Sequence, residues 1–218
     1  MTARALFVTL VIFALATPLF AGDIILMPTA NTVAGGDVEL NAIYQKMAPS
    51  GSDNDMLVGE AFIGLHDRLE ADVVYVNTRG DDTDDFTEVN LYGTLFKESV
   101  KHPSLVLGVT NVFESDFLGG SDEASWFAVS GWTLQNPEKL SWAVPMVRVH
   151  LGYGAKFHRD RAFGGVQLKF APRFGAAALN YQSKWMFMGT YNVGKSLETS
   201  LGINDGNLFY RAGLSFGW

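Results

Sequence analysis

The feature that most constrains this chain is a period of two that recurs along almost its whole length. Val38, Leu40, Ala42 and Tyr44 alternate with Glu39, Asn41 and Gln45. Val89, Leu91, Gly93 and Leu95 alternate with Glu88, Asn90, Tyr92 and Thr94. Val147, Val149, Leu151 and Tyr153 alternate with Arg148, His150 and Gly152, and Val166, Leu168 and Phe170 with Gln167 and Lys169. The last run places Leu208, Tyr210, Ala212, Leu214, Phe216 and Trp218 opposite Arg211, Gly213, Ser215 and Gly217. A strand turns successive side chains to opposite faces, so each run has one apolar and one polar face. Past the N-terminal leader no stretch shows a helical period.

Turn residues interrupt the alternation at short intervals: Gly51-Ser52-Asp53-Asn54, His66-Asp67-Arg68, Gly80-Asp81-Asp82, Gly119-Gly120-Ser121, Asn136-Pro137, Ala171-Pro172-Arg173 and Asp205-Gly206-Asn207. The spacing predicts strands at 36–46, 56–66, 68–79, 86–97, 103–114, 124–134, 145–155, 162–171, 173–182, 184–193, 196–204 and 207–218. Segments of about ten residues are long enough to cross a bilayer at a tilt. An even number of them suits a bacterial barrel. The expectation is an all-β fold: an up-and-down antiparallel transmembrane β-barrel of about 12 strands over 36–218, or ten with one hairpin merged.

The N-terminus reads as a secretory signal peptide over 1–21. Arg4 supplies the positive charge, Ala5 to Ala16 the apolar stretch, and Leu19-Phe20-Ala21 the cleavage context. Pro18 interrupts the run, which is also short for a membrane helix. Residues 22–35, with Pro28, form an irregular lead-in that either hangs in the periplasm or plugs the lumen. The chain contains no Cys, so stability rests on burial and backbone pairing.

Mean hydropathy is only +0.11, although the chain holds 16 Phe, 7 Tyr and 5 Trp. A transmembrane barrel is apolar outside and polar inside, so its average looks soluble. The net charge of −7 argues against nucleic acid as a partner. That charge is divided along the chain. Gly22 to Glu123 holds 19 acidic and 5 basic residues, and Ala124 to Trp218 holds 4 and 10. With both termini periplasmic, the outward links carry Asp53, Asp55, Asp81, Asp82, Asp84, Asp85, Asp116, Asp122 and Glu123. The inward links carry Arg68, Lys97, Lys101, Lys139, Arg173 and Lys195.

The C-terminal residues Arg211-Ala212-Gly213-Leu214-Ser215-Phe216-Gly217-Trp218 resemble the assembly signal of bacterial outer-membrane barrels. Gly213, Phe216 and the terminal Trp218 fall at its specified positions. The resemblance implies a last strand that closes the barrel and is read by the barrel assembly machinery. Gly22-Asp23-Ile24-Ile25-Leu26-Met27-Pro28-Thr29-Ala30, followed by Gly35-Gly36, resembles the opening of the YjbH-like exopolysaccharide-associated outer-membrane proteins. Phe62 to Glu70 and the stretch from Phe174 to Trp218 are similar to hairpins of such barrels. The resemblance covers both ends and one hairpin, and implies an outer-membrane location and a link to surface polysaccharide.

Catalytic constellations are sparse. His66 and His102 fall in predicted turns, His158 in a loop, and His150 on the inner face of a strand. A hydrolase needs a His held against a nucleophile or acid, and a lone inward His is more often a hydrogen-bonded filler. No spacing suggests zinc and no Gly-rich loop suggests a phosphate cradle. Asp81-Asp82-Thr83-Asp84-Asp85 lacks the Gly of a shaped calcium loop and reads as a solvated acidic loop. No cofactor is expected.

The inward charges are the best functional clue. Glu39, Glu60, Glu70, Asp72 and Glu88 come from early strands, and Arg148, His150, Lys169 and Arg211 from later ones. In a closed barrel they form an acidic wall facing a basic one, with Arg211 nearest to Glu39 because the last strand meets the first. A wide lumen would make this a selective channel for small polar or charged solutes. A narrow lumen would pair the charges and seal it, leaving a structural, adhesion or envelope-assembly role. An outer-membrane hydrolase is the least favoured reading. The remaining partners expected are outer-membrane lipid and lipopolysaccharide, with Trp126, Trp132, Trp142, Trp185 and Trp218 as interface anchors.

Overall fold

The computed structural model describes residues 29–217, apart from 31, 48–53, 80–84, 115–122, 137, 156–160 and 195. The leader, Trp218, His158 and most of the acidic outer loops therefore lie outside the described residues. Among the described residues, twelve strands form one closed antiparallel barrel. They are β1 Asp37–Met47, β2 Asn54–His66, β3 Leu69–Arg79, β4 Asp85–Phe96, β5 Ser104–Thr110, β6 Ser125–Gln135, β7 Met146–Gly154, β8 Arg161–Ala171, β9 Phe174–Tyr181, β10 Lys184–Asn192, β11 Leu197–Asn204 and β12 Asn207–Gly217. Each strand pairs with its sequence neighbours, and β12 closes on β1 with Leu214 opposite Leu40 and Phe216 opposite Val38.

Two-residue links show how local chemistry sets these edges. Asp205 and Gly206 have φ of 50° and 85°, the left-handed pair that a tight β-hairpin requires. Gln182 and Ser183 adopt the same kind of turn, at 50° and 67°, without any glycine. Arg161 donates to the Ser183 hydroxyl and holds that turn. One strand is shorter than its sequence suggests. β5 ends at Thr110, because Asn111 and Glu114 turn left-handed and Val112 N donates back to the Val89 carbonyl at 2.9 Å.

The outward face is the apolar one. Leu40, Tyr44, Leu57, Leu91, Leu107, Leu151, Leu201 and Leu214 are all exposed there. Aromatic side chains gather at both ends of this belt. Trp126 packs on Tyr153 at one end, and Trp142 stacks on Phe170 at 4.7 Å at the other. Trp126 and Trp185 stand at the end away from the termini; Trp132 and Trp142 stand at the end that holds them. All four are exposed. The links carrying Arg68, Lys97, Lys101, Lys139 and Arg173 are also at the terminal end.

The inward face differs from the expected polar lining. Much of it is apolar. Ile43, Val58, Val74, Val76, Val106, Phe127, Val129, Phe163, Leu179, Met186, Met188 and Phe209 form one contiguous cluster drawn from strands around the whole barrel. Phe127, Leu179 and Phe209 have essentially no exposed surface. The apolar side chains therefore meet across the lumen. Phe209→Ala should open a cavity that the closed sheet cannot collapse around, with a loss of about 3–5 kcal/mol. Urea unfolding of the lipid-embedded barrel would measure it; a loss below about 1 kcal/mol would mean that this layer is loosely packed.

Candidate functional site

The charges share the interior with the apolar cluster: Arg211 is in register with Ile43 and Glu88 with Val74, while Glu39, Glu70, Asp72, Arg148, Lys169 and Glu198 lie nearer the termini. β1 and β12 run antiparallel and in register, so inward Glu39 and inward Arg211 lie on neighbouring strands near the seam. The Arg211 guanidinium donates to Glu39 Oε1 at 3.0 Å and to Glu198 Oε1 at 3.2 Å. All three side chains are buried. Asn41 Nδ2 donates to the same Glu39 oxygen at 3.1 Å, and the Ser200 hydroxyl reaches Glu198 at 3.5 Å. Lys169, half-buried on β8, lies within electrostatic reach of Glu198. One cation thus ties β1, β11 and β12 together across the closing seam.

A second centre lies on β7. Arg148 Nη1 is 2.5 Å from Glu98 Oε2 and donates to the Thr133 hydroxyl at 3.4 Å, and Nη2 donates to the Ser104 hydroxyl at 3.4 Å. Glu98 sits in the link between β4 and β5, outside any strand. His150 has both ring nitrogens engaged. Ala30 N donates to Nδ1 at 3.3 Å, so Nε2 carries the proton and donates to Gln167 Oε1 at 3.0 Å. The imidazole is neutral in this arrangement, because a protonated ring could not accept from Ala30.

The other early-strand acids are buried on β2, β3 and β4. Asp72 accepts from Asn90 Nδ2 at 2.9 Å and from the Tyr92 hydroxyl at 3.4 Å. Glu70 accepts from Val33 N. Glu60 lies on β2 opposite Asn41, and Glu88 on β4 opposite Val74. Glu60 and Glu88 are both buried. Among the described residues no group of three His, Asp or Glu side chains could hold a metal ion.

The lead-in occupies part of this chamber. Thr29, Ala30 and Val33 are buried. Ser104 donates to the Ala30 carbonyl at 3.4 Å, the Thr32 and Thr94 hydroxyls are 3.1 Å apart, and Gly36 N donates to the Gly64 carbonyl at 2.9 Å. The wall is carved to receive it. A Cβ on Gly64 would lie 1.8 Å from the Ala34 carbonyl oxygen, and one on Gly131 would lie 2.7 Å from the Ala30 Cβ. Ala34 and Gly35, between these buried residues and β1, are exposed.

The inward charges named from sequence all face the interior, but they pair locally. Arg211 takes Glu39 from the adjacent strand; Arg148 takes Glu98 from the β4–β5 link. Glu98 and Glu198 escaped the sequence reading. Glu198 sits on an alternating strand and could have been found by its register with Asn192. Glu98 sits in a link with no period to reveal it. Of the C-terminal signal, Gly213 faces the buried interior and Phe216 the exposed belt. Removing Arg211 would leave two buried carboxylates without their cation. Arg211→Met should therefore cost about 3–5 kcal/mol. Adding Glu39→Gln and Glu198→Gln should restore most of that, by the same urea assay. Failure of the triple variant to recover would mean that the guanidinium acts by packing alone.

No protein-family model matches this chain, and no curated protein matches it in sequence. Among solved structures, an outer membrane channel from Pseudomonas putida F1 superposes with a TM-score of 0.48 at 10% identity. The match covers 91% of this chain and 100% of that one. A likeness of that degree says nothing about what this chain does.

Proposed function

We propose that this chain is an outer-membrane barrel acting as a narrow, gated channel for small polar or charged solutes. The membrane placement is supported by the exposed apolar belt between two aromatic ends. An exposed apolar surface of that extent would aggregate in water. The C-terminal strand, with Gly213 inward and Phe216 outward, presents the pattern that the assembly machinery of such barrels reads.

The observation that carries the channel reading is the buried charge inside the barrel. Arg211, Glu39 and Glu198 are buried on the strands at a desolvation cost that an apolar core would avoid. Ionisable groups inside a span mark solute paths more often than scaffolding. The path is closed in this state by Thr29, Ala30 and Val33 of the lead-in together with the apolar cluster. Apolar constrictions gate by excluding water. The resemblance of the Pro28-Thr29-Ala30 region to exopolysaccharide-associated barrels makes polysaccharide fragments one candidate solute. The second reading is a permanently sealed barrel with a structural or assembly role, and the contiguous apolar cluster favours it.

Conductance in a planar bilayer separates the two. Gly64→Val pushes a side chain into the Ala34 carbonyl and expels the lead-in, and Phe127→Ala thins the apolar layer. The channel reading expects rare openings in the native protein and at least tenfold more in the double variant. It also expects the reversal potential to move toward cation selectivity with Arg148→Glu. A folded, inserted double variant that never conducts would establish the sealed barrel.

A further inference from the structure

Among the described residues, two ionisable side chains hold backbone N–H groups of the lead-in. Val33 N donates to Glu70, and Ala30 N donates to His150 Nδ1 at 3.3 Å. The other ring nitrogen of His150 donates to Gln167 on β8 at 3.0 Å. An imidazole accepts a hydrogen bond only while it is neutral. The contact that seats Ala30 therefore requires the uncharged ring. A carboxyl group differs, because it keeps acceptor oxygens even when protonated.

The surroundings sharpen that requirement. A Cβ built on Gly131 would lie 2.7 Å from the Ala30 Cβ, 3.0 Å from Arg148 Nη2 and 3.2 Å from His150 Nδ1. Methyl, guanidinium and ring thus converge on the gap that Gly131 leaves. Protonation would turn Nδ1 into a donor aimed at another donor, Ala30 N. It would also set a second positive charge beside Arg148. The charged groups facing the ring are Arg148 from its own strand and Glu98 from the β4–β5 link. Glu98 is engaged at both oxygens, by Arg148 at 2.5 Å on Oε2 and by Thr133 N at 2.5 Å on Oε1. The neighbouring strands offer Ser104 on β5, Gly131 and Thr133 on β6 and Gln167 on β8, none of which titrates. Lys169, the next inward residue on β8, adds positive charge. This set gives an imidazolium no carboxylate that is not already bonded.

We propose that His150 is a proton-operated latch: protonation of its ring releases Ala30, unseats the lead-in and opens the barrel interior in acid. The proposal deepens the channel reading above and rests on it for the gate. The direction follows from linkage. The seated state excludes a proton that the released state binds, so seating is favoured at neutral pH and weakens as pH falls. A hydrated imidazole takes up its proton at about pH 6.5, and below that the balance moves about tenfold toward release per pH unit.

The test uses the full chain in lipid vesicles, carrying a single Cys. Thr29→Cys places it on the buried part of the lead-in and Ala34→Cys on the exposed part. The native sequence contains no other Cys. A water-soluble pyridyl disulfide, which reacts with thiols even in acid, labels each. The expected result is that labelling at 29, relative to 34, rises at least tenfold from about pH 7.5 to about pH 5. His150→Asn keeps an oxygen acceptor near the place of Nδ1 and does not titrate, so labelling should stay low throughout. His150→Phe has no acceptor and should label at neutral pH as the native chain does in acid. A rise that persists in His150→Asn would overturn the latch, and its loss in Glu70→Gln would pass the role to Glu70. Labelling at 29 that does not change with pH overturns the latch, whether or not the barrel conducts. Bilayer conductance judges the channel reading separately. Current that rises with labelling supports both, whereas labelling that rises without current keeps the latch and overturns the channel.

Discussion

The rest of the molecule depends on the pairing of β12 with β1. A sheet with an apolar outer face has no water to satisfy its edges in a bilayer, so it must close on itself. Closure brings the two ends of the chain together and fixes which way every side chain points. It also brings Glu39 beside Arg211, and Glu198 one strand further on. The guanidinium that satisfies both carboxylates spans the seam that closes the barrel. The same closure leaves Thr29, Ala30 and Val33 against the inner wall, where Gly64 and Gly131 leave room for the lead-in.

The alternation of side chains made the strands legible. Ten or eleven residues of apolar-polar repeat between turn residues define an element almost by themselves, and β1, β4, β8 and β12 lie within a residue or two of where the pattern puts them. The Gln182-Ser183 hairpin was harder to see, since its left-handed turn uses no glycine and is held by Arg161 from another strand. β5 ended early for a related reason. Asn111 and Glu114 take left-handed conformations that the apolar run through Val112 and Phe113 disguises.

The interior was legible only in part. Inward charge followed from register, and the neighbourhood of Arg211 and Glu39 followed from closure. The apolar layer did not follow from the assumption that a barrel is polar inside. Its signature was present as unbroken runs such as Val73-Val74-Tyr75-Val76 and Met186-Phe187-Met188, in which alternate residues must turn inward. Those runs say that the lumen is filled like a core. The seat of the lead-in had no local signal, because it depends on glycines that are far from it in sequence.

The central claim is a dry, packed lumen inside a lipid-facing belt, and two residues on one strand test it. Phe209 and Leu214 lie on opposite faces of β12. The chain has no native Cys, so a single Cys at either position can be probed cleanly in reconstituted vesicles. At 214 the account predicts labelling by a lipid-phase thiol reagent and none by a water-soluble one. At 209 it predicts labelling by neither. Water-phase labelling at 209 would contradict a packed lumen, and water-phase labelling at 214 would contradict the membrane itself.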